Sequence, residues 1–354
     1  MQHRTWTRPG AGVLTFSTLG CGTAPLGNLY SAISDEDAHR TLDAAWDVGM
    51  RYFDTAPQYG LGNAERRLGR FLRGRPRERF VLSTKVGRLL KVCAPEQRVG
   101  IGKWFDVPSR QEIYDYSYDG VLRSIEFSLE RTGLDRFDVI FAHDLDCYSH
   151  GSAAQRDHYI EQFVMGGYRA LRELRDQRVI AAIGAGVNEA RACEILAERC
   201  DMDLFLLAGR YTLLEQAPLH ALLPLCEARG IGIVLGGAFN SGILATGAQP
   251  GAWFNYEPAP PDVLERVRRI EAICAAHGVR LIEAALQFPL AHPAVVTLIP
   301  GAKHADEARG VRDLLNAQIP EAFWADLREQ GLLDPAAPVP AATRPRPSST
   351  DRGV

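Results

Sequence analysis

Four residues of this 354-residue chain have the types and positions needed to move a proton: Asp54, Tyr59, Lys85 and His143. Asp54 ends the short apolar run that starts at Met50, and Tyr59 follows five positions later. Lys85 ends the run Phe80-Val81-Leu82-Ser83-Thr84, and His143-Asp144 end Phe137-Asp138-Val139-Ile140-Phe141-Ala142. A tyrosine exchanges a proton with a carbonyl or alcohol oxygen near neutral pH only if its solution pKa, about 10, is lowered. A neighbouring ammonium does this by favouring the phenolate, and a carboxylate behind the lysine keeps that ammonium charged and oriented. Asp54, Lys85 and Tyr59 are expected to form such a relay, with His143 orienting the reacting oxygen by hydrogen bonding. None of the four is placed for covalent attack or metal binding. The expected chemistry is therefore proton transfer coupled to hydride transfer, and because no side chain carries hydride, a nicotinamide must. Each residue alone has a plainer reading: a turn aspartate, a surface lysine, a loop tyrosine, a core histidine. Their joint arrival at three strand ends is what favours a site.

Ionisable groups at the C-terminal ends of successive parallel strands are the arrangement of a barrel enzyme. The chain alternates strand and helix patterns about eight times, which predicts parallel βα units closing into a single-domain (β/α)8 barrel, an α/β fold. Strands are predicted at Thr18–Thr23, Arg51–Thr55, Phe80–Lys85, Phe137–His143, Val179–Gly184, Leu204–Leu207, Ile231–Leu235 and Val295–Ile299. Ser34-Asp35-Glu36-Asp37 reads as a capping box opening a helix that stops at Gly49; further helices are predicted over Tyr159–Arg175 and Asp262–Ala276. An open dinucleotide-binding sheet would carry GxGxxG in its first turn, and Gly20-Cys21-Gly22-Thr23-Ala24-Pro25 lacks the third glycine. Long loops are predicted at the C-terminal face. Val86 to Ser117, with Trp104 and Phe105, and Gln249 to Pro261, with Trp253, Phe254 and Tyr256, read as substrate-binding walls. The barrel is expected to occupy 1–334, and the Pro/Ala/Ser/Arg-rich tail 335–354 to be disordered.

Composition excludes other classes. The formal net charge is −3 with interspersed charges, so no basic face points to nucleic acid. The arginine-rich stretch from Arg66 to Arg79 reads as a solvated helix face and exit. Seven scattered cysteines show neither CxxC nor Cys/His ligand spacing and read mostly as buried thiols in a reducing compartment. The N-terminus has no apolar signal region and no apolar run is long enough to span a bilayer, so a cytoplasmic location is expected, with a small molecule as partner.

The chain resembles the aldo-keto reductase superfamily from Leu19-Gly20-Cys21-Gly22-Thr23 to about Leu315. The resemblance is carried by Tyr52-Phe53-Asp54-Thr55-Ala56-Pro57-Gln58-Tyr59-Gly60, Ser83-Thr84-Lys85, Phe141-Ala142-His143-Asp144 and Ile299-Pro300-Gly301-Ala302-Lys303. It implies a (β/α)8 barrel that binds a nicotinamide cofactor without a Rossmann motif. It also implies Tyr59 as general acid/base, Lys85 and Asp54 as its relay, and His143 as orienter of the substrate oxygen. Asp115-Tyr116-Ser117-Tyr118-Asp119-Gly120, Ile183-Gly184-Ala185-Gly186-Val187-Asn188 and Leu235-Gly236-Gly237-Ala238-Phe239-Asn240-Ser241-Gly242 are similar to the sugar 1-dehydrogenase branch. That branch includes L-fucose or D-threo-aldose, L-galactose and pyridoxal 4-dehydrogenases, and implies oxidation of a cyclic hemiacetal to a lactone. Reduction of a small aldehyde is the reverse-direction alternative, and a redox-sensing docking subunit is the non-enzymatic one.

Cofactor contacts implied by the resemblance are Gly22, Thr23, Asp54, Asn188, Gly236, Gly237, Asn240, Ser241, Gly242, Gly301, Ala302, Lys303 and Glu307; Tyr59, His143, Trp104 and Phe105 are expected at the substrate. Two departures stand out. Gly186-Val187-Asn188 replaces the usual Ser-Asn, leaving Asn188 to hold the carboxamide, and Gly236 replaces an aromatic that usually stacks on the nicotinamide. Glu307 falls where NADP-preferring relatives present an arginine, and a carboxylate repels a 2′-phosphate, so NAD is favoured over NADP.

Overall fold

A computed structural model describes residues 1–341. Eight parallel strands form one sheet: β1 Cys21–Gly22, β2 Tyr52–Asp54, β3 Val81–Val86, β4 Val139–His143, β5 Ala182–Val187, β6 Leu204–Ala208, β7 Gly232–Gly236 and β8 Val295–Leu298. Each pairs with its neighbour in chain order, and parallel bridges Leu19–Leu298 and Gly22–Gly301 join the two ends. The (β/α)8 barrel is thereby closed.

Alternation along the strands divides the apolar residues into two cores. Phe53, Leu82, Ile140, Ile183, Phe205 and Ile233 face outward and pack with the helices. Tyr52, Val81, Phe141, Leu204, Leu206 and Val234 fill the barrel interior with Trp6, Leu14 and Phe16. The last three come from a hairpin, His3–Trp6 paired with Leu14–Ser17, that plugs the barrel and that the sequence reading missed. Interior parity continued to the strand tops places Asp54, Lys85, His143, Gly186, Ala208 and Gly236 inside one mouth.

Local signals explain most element ends. Ser34 Oγ accepts the Asp37 N–H at 3.0 Å, starting the helix Asp35–Asp47. The expected helix at Asp262 runs Pro261–His277 and ends at Gly278 with φ 65°. Arg66, Arg67, Arg75 and Arg77 pair with Asp35, Asp43 and Asp138 while Arg70, Arg73 and Arg79 stay exposed, so the arginine-rich stretch is a largely solvated helix face and exit.

Several expectations need correction. The fifth strand, predicted at Val179–Gly184, is Ala182–Val187; Val179 is exposed, its N–H bonds to Leu174 O, and it closes the preceding helix. β5 is built of small residues because it crosses Phe141: a Cβ on Gly184 would lie 2.4 Å from that ring. The helix predicted over Tyr159–Arg175 is two, Ala153–Gln162 and Tyr168–Asp176, joined by a π turn at Phe163–Gly167. The first predicted strand shrinks to two residues. The long connection after β3 contains a hairpin, Arg88–Val92 with Arg110–Tyr114. The packed chain also runs past 334: Ala337 is buried and its carbonyl accepts from Arg328. The rest of the expected tail, 342–354, lies outside the described residues. Among the described residues no helix is long and apolar enough to cross a membrane.

Candidate active site

Lys85 Nζ lies 2.6 Å from Asp54 Oδ2, 3.0 Å from Thr55 O and 3.1 Å from Tyr59 Oη. Three acceptors match the three N–H bonds of an ammonium; a neutral amine would leave one without a donor. The pair is therefore Lys85 ammonium with Asp54 carboxylate, both almost wholly buried. Ser83 Oγ donates to the second Asp54 oxygen at 2.7 Å, and Tyr52 Oη stands 2.9 Å from that hydroxyl. Thr23 also braces this strand end, its N–H and Oγ1 both bonding to Asp54 O. Tyr59 is reached by a tight turn: Gly60 has φ 64°, and a Cβ there would lie 2.2 Å from Gly27 O. Because Tyr59 Oη accepts from Lys85, its own proton is free to point into the cavity.

Burial lowers the affinity of Lys85 for its proton, but Asp54 and Tyr59 outweigh it, so its pKa is raised. For Asp54 burial wins over Lys85 and its pKa is also raised. The pair as a whole holds its proton tightly, on the lysine. The expected lowering of the Tyr59 pKa is not what the structure gives: burial raises it, with Lys85 the largest opposing influence. One ammonium already shared with a carboxylate cannot replace the lost hydration of a phenolate. His143 is pushed well below its ordinary pKa by burial and by Arg88, Lys85 and Lys103, so its ring is neutral. Its Nε2 approaches Asp144 Oδ2 at 3.4 Å, a contact rather than an ion pair in that state, and its buried Nδ1 has no partner among the described residues. The Tyr59 and His143 rings stand edge-on, 6.1 Å apart.

These groups open onto a cavity of about 320 Å³ lined by Tyr59, Lys85, His143, Trp104, Tyr148, Tyr256 and Asn188, among others. Trp104 is buried there, its ring 6.4 Å from Tyr59. Phe105, expected beside it, is 40% exposed and absent from the lining. The insertion after residue 249 delivers Tyr256, while Trp253 stays 46% exposed.

The sequence reading did not find Arg88. It lies buried under the cavity, bonded to Glu112 Oε2 at 2.6 Å and to Asp144, which also accepts from Asn188 at 3.1 Å. Burial favours loss of its proton, but Asp144 and Glu112 raise its pKa. An arginine directly after the lysine strand, with an aspartate after His143, was the available signal.

Of the expected cofactor residues, Asn188 lines the cavity. Its amide nitrogen donates to Asp144 and Asp146, and its side-chain oxygen accepts no bond among the described residues. Gly186, Ala208 and Leu206 leave the cavity floor low beside it. Gly301, Ala302 and Glu307 line a second cavity of about 550 Å³, with Phe239 and Arg280. Gly236 and Gly237 (φ 64°) cross at the top of β7, and Gly242 has φ 104° with open space where a Cβ would stand. Gly22 packs against the far edge, where a Cβ would lie 3.0 Å from Ile299 O.

Three of these side chains are occupied elsewhere. Asn240 bonds Thr212 Oγ1 at 2.6 Å and Gly209 O at 3.0 Å, tying the loops after β6 and β7; buried, it spends both ends of its amide internally. Ser241 Oγ accepts from Tyr256 N at 2.9 Å and pins the insertion. Lys303 Nζ reaches Leu29 O at 2.9 Å and Ser31 Oγ. Glu307 Oε2 accepts the Lys303 N–H at 2.7 Å and the His304 N–H at 3.3 Å, capping its own helix while facing the second cavity.

Asp54, Lys85, Tyr59 and a neutral His143 thus converge at the C-terminal mouth of a closed parallel barrel. The profile described as Aldo/keto reductase family matches residues 18–331, and the chain belongs to that family. It is 41% identical over 329 residues to the pyridoxal 4-dehydrogenase of Microbacterium luteolum, covering 90% of this chain and 95% of that one. It is 39% identical over 336 residues to the D-threo-aldose 1-dehydrogenase of a Pseudomonas species, covering 92% and 98%. The solved structure of aldo-keto reductase AKR11C1 from Bacillus halodurans, in its holo form, shares the fold with a TM-score of 0.70. There the identity is 24%, over 94% of this chain and 97% of that one. The similarity therefore falls in the sugar dehydrogenase branch.

Proposed function

We propose that this protein is an NAD(P)-linked dehydrogenase that oxidises a cyclic hemiacetal at C1 to a lactone, with an aldose of the D-threo type as substrate. The observation that carries this reading is Lys85 Nζ placed between Asp54 and Tyr59 at 2.6 and 3.1 Å. Tyr59 exchanges the proton of the anomeric hydroxyl; Lys85, fixed by Asp54, steadies the phenolate that results. Neutral His143, lining the cavity edge-on to Tyr59, hydrogen-bonds the same oxygen. Asn188 is oriented to hold a carboxamide through its free oxygen, and Gly301, Ala302 and Glu307 to receive the far end of a dinucleotide. When bound, an oxidised nicotinamide supplies the hydride acceptor and a positive charge that draws the Tyr59 phenol back toward phenolate. With the phenol raised by burial, Tyr59 is equally able to donate a proton to a carbonyl, which supports aldehyde reduction as the reverse reaction.

Glu307 at the second cavity supports NAD over NADP. Oxidation of pyridoxal to its lactone is the second reading, favoured by the 41% identical relative and by the aromatic walls Trp104, Tyr148 and Tyr256. The test is incubation of the purified protein with NAD or NADP and a panel of aldoses and pyridoxal, following nicotinamide absorbance. Tight cofactor binding without turnover of any hemiacetal would refute the dehydrogenase and leave a docking subunit.

A further inference from the structure

Three cations face the catalytic cavity, Lys85, Arg88 and Lys103, and two of them are paired with carboxylates. Lys103 Nζ makes no ion pair or hydrogen bond among the described residues. It lies instead 5.1 Å from the centre of the Tyr256 ring and 5.9 Å from that of Trp104. The carboxylates acting on it, Asp144 and Glu112, are both bonded to Arg88, whose charge opposes theirs.

The backbone that carries this ammonium is fixed beside the cavity. Its backbone N–H bonds Gly100 O at 3.0 Å, its carbonyl accepts from Tyr30 N at 2.8 Å, and Trp104 N bonds Gly100 O at 2.8 Å. Leu29 and Trp104 form a further antiparallel bridge. A partly buried cation with three unpaired donors carries a desolvation cost that an acceptor on a ligand would relieve. Aromatic faces recover only part of the lost hydration.

We propose that Lys103 makes the cavity select hemiacetals that carry an oxyanion on the ring, a phenolate or a carboxylate, over neutral aldoses. This rests on the dehydrogenase reading above but departs from its leading substrate: a neutral D-threo aldose becomes the poorer ligand, and pyridoxal, the second reading, carries the ring oxyanion required. The ring body lies between Trp104, Tyr148 and Tyr256 while its oxyanion meets Lys103, leaving the hemiacetal carbon to Tyr59 and His143.

The test compares the wild type with Lys103→Gln and Lys103→Arg. Calorimetry measures binding of three product lactones, from pyridoxal, from a uronic acid and from a neutral aldose, and steady-state kinetics measures the parent hemiacetals. Loss of a charge-assisted hydrogen bond predicts that Lys103→Gln lowers the anionic-to-neutral affinity ratio by about 10- to 100-fold, mainly in KM, and that Lys103→Arg restores it. A ratio that falls only for the pyridoxal lactone assigns the phenolate; only for the uronic lactone, the carboxylate. Equal weakening of anionic and neutral ligands, or no change in either, overturns the proposal. If the wild type oxidises no hemiacetal, the dehydrogenase reading fails, and calorimetry still decides the role of Lys103.

Discussion

Replacing Lys85 by Met keeps the length and apolar body of the side chain and removes one charge from a pair in which both partners are 1% exposed. Asp54 then keeps only Ser83 as a side-chain donor and is left as an uncompensated buried carboxylate. Breaking a buried ion pair from one side costs about 3–5 kcal/mol. Against a typical total of about 5–15 kcal/mol, that is a large fraction of the stability. The cost depends on pH. Burial already raises the Asp54 pKa above 3.8, and without Lys85, the main opposing influence, it rises further. A group with a raised native pKa contributes stability below its unfolded value that is lost as pH rises through the native value. Lys85→Met is therefore nearest the wild type in acid and furthest from it at neutral pH. Denaturant unfolding over a series from about pH 5 to 8 measures this. A double variant, Lys85→Met with Asp54→Asn, removes both charges and recovers most of the stability without recovering turnover. If the single variant loses less than about 1 kcal/mol at neutral pH, or the double loses as much as the single, the pair is not the buried ion pair described.

Three further outcomes are expected. Tyr59→Phe removes the hydroxyl proposed to transfer the proton while keeping the ring against Trp104, and lowers kcat by about 10²- to 10⁴-fold with cofactor affinity held, as fluorescence titration would show. Glu307→Gln keeps an oxygen for the Lys303 and His304 N–H groups but loses its charge, so it tightens NADP binding relative to NAD with little change in melting temperature; an unchanged ratio of dissociation constants would move the ribose pocket elsewhere. Gly69→Ala in the helix Asn63–Leu72 would ordinarily gain about 1 kcal/mol of helix propensity. Here its Cβ would lie 2.0 Å from the backbone carbonyl of Thr132, so a lower unfolding midpoint is expected.

Much of the fold was legible because strands such as Tyr52–Asp54 and Val139–His143 are compact apolar runs ending in a polar group, and helices such as Asp35–Asp47 and Tyr118–Thr132 carry a serine cap. Misreadings have a common cause. Val179 and Ile180 look like strand but close a helix, while the true β5, Ala-Ile-Gly-Ala-Gly-Val, is too small-residued to stand out, being shaped by Phe141 across the barrel. The hairpin plug was missed because Arg4 and Thr5 interrupt its pattern, and its burial depends on a barrel mouth made by strands far along the chain. Asn240 and Lys303 sit where a cofactor contact was expected, and in the described structure their polar ends serve loops remote in sequence.

Residue identity and strand parity were sufficient to place Asp54, Lys85 and His143 at one end of a barrel, since side chains two positions apart along a strand share a face. Tertiary structure alone decided the protonation landscape and the walls. That the Tyr59 pKa rises, that His143 stays neutral, that Arg88 is spent on Asp144 and Glu112 while Lys103 is not, all depend on distances and burial set by loops from separate βα units. Electrostatic free energy varies with separation and with exclusion of water, and neither quantity is written in the order of residues.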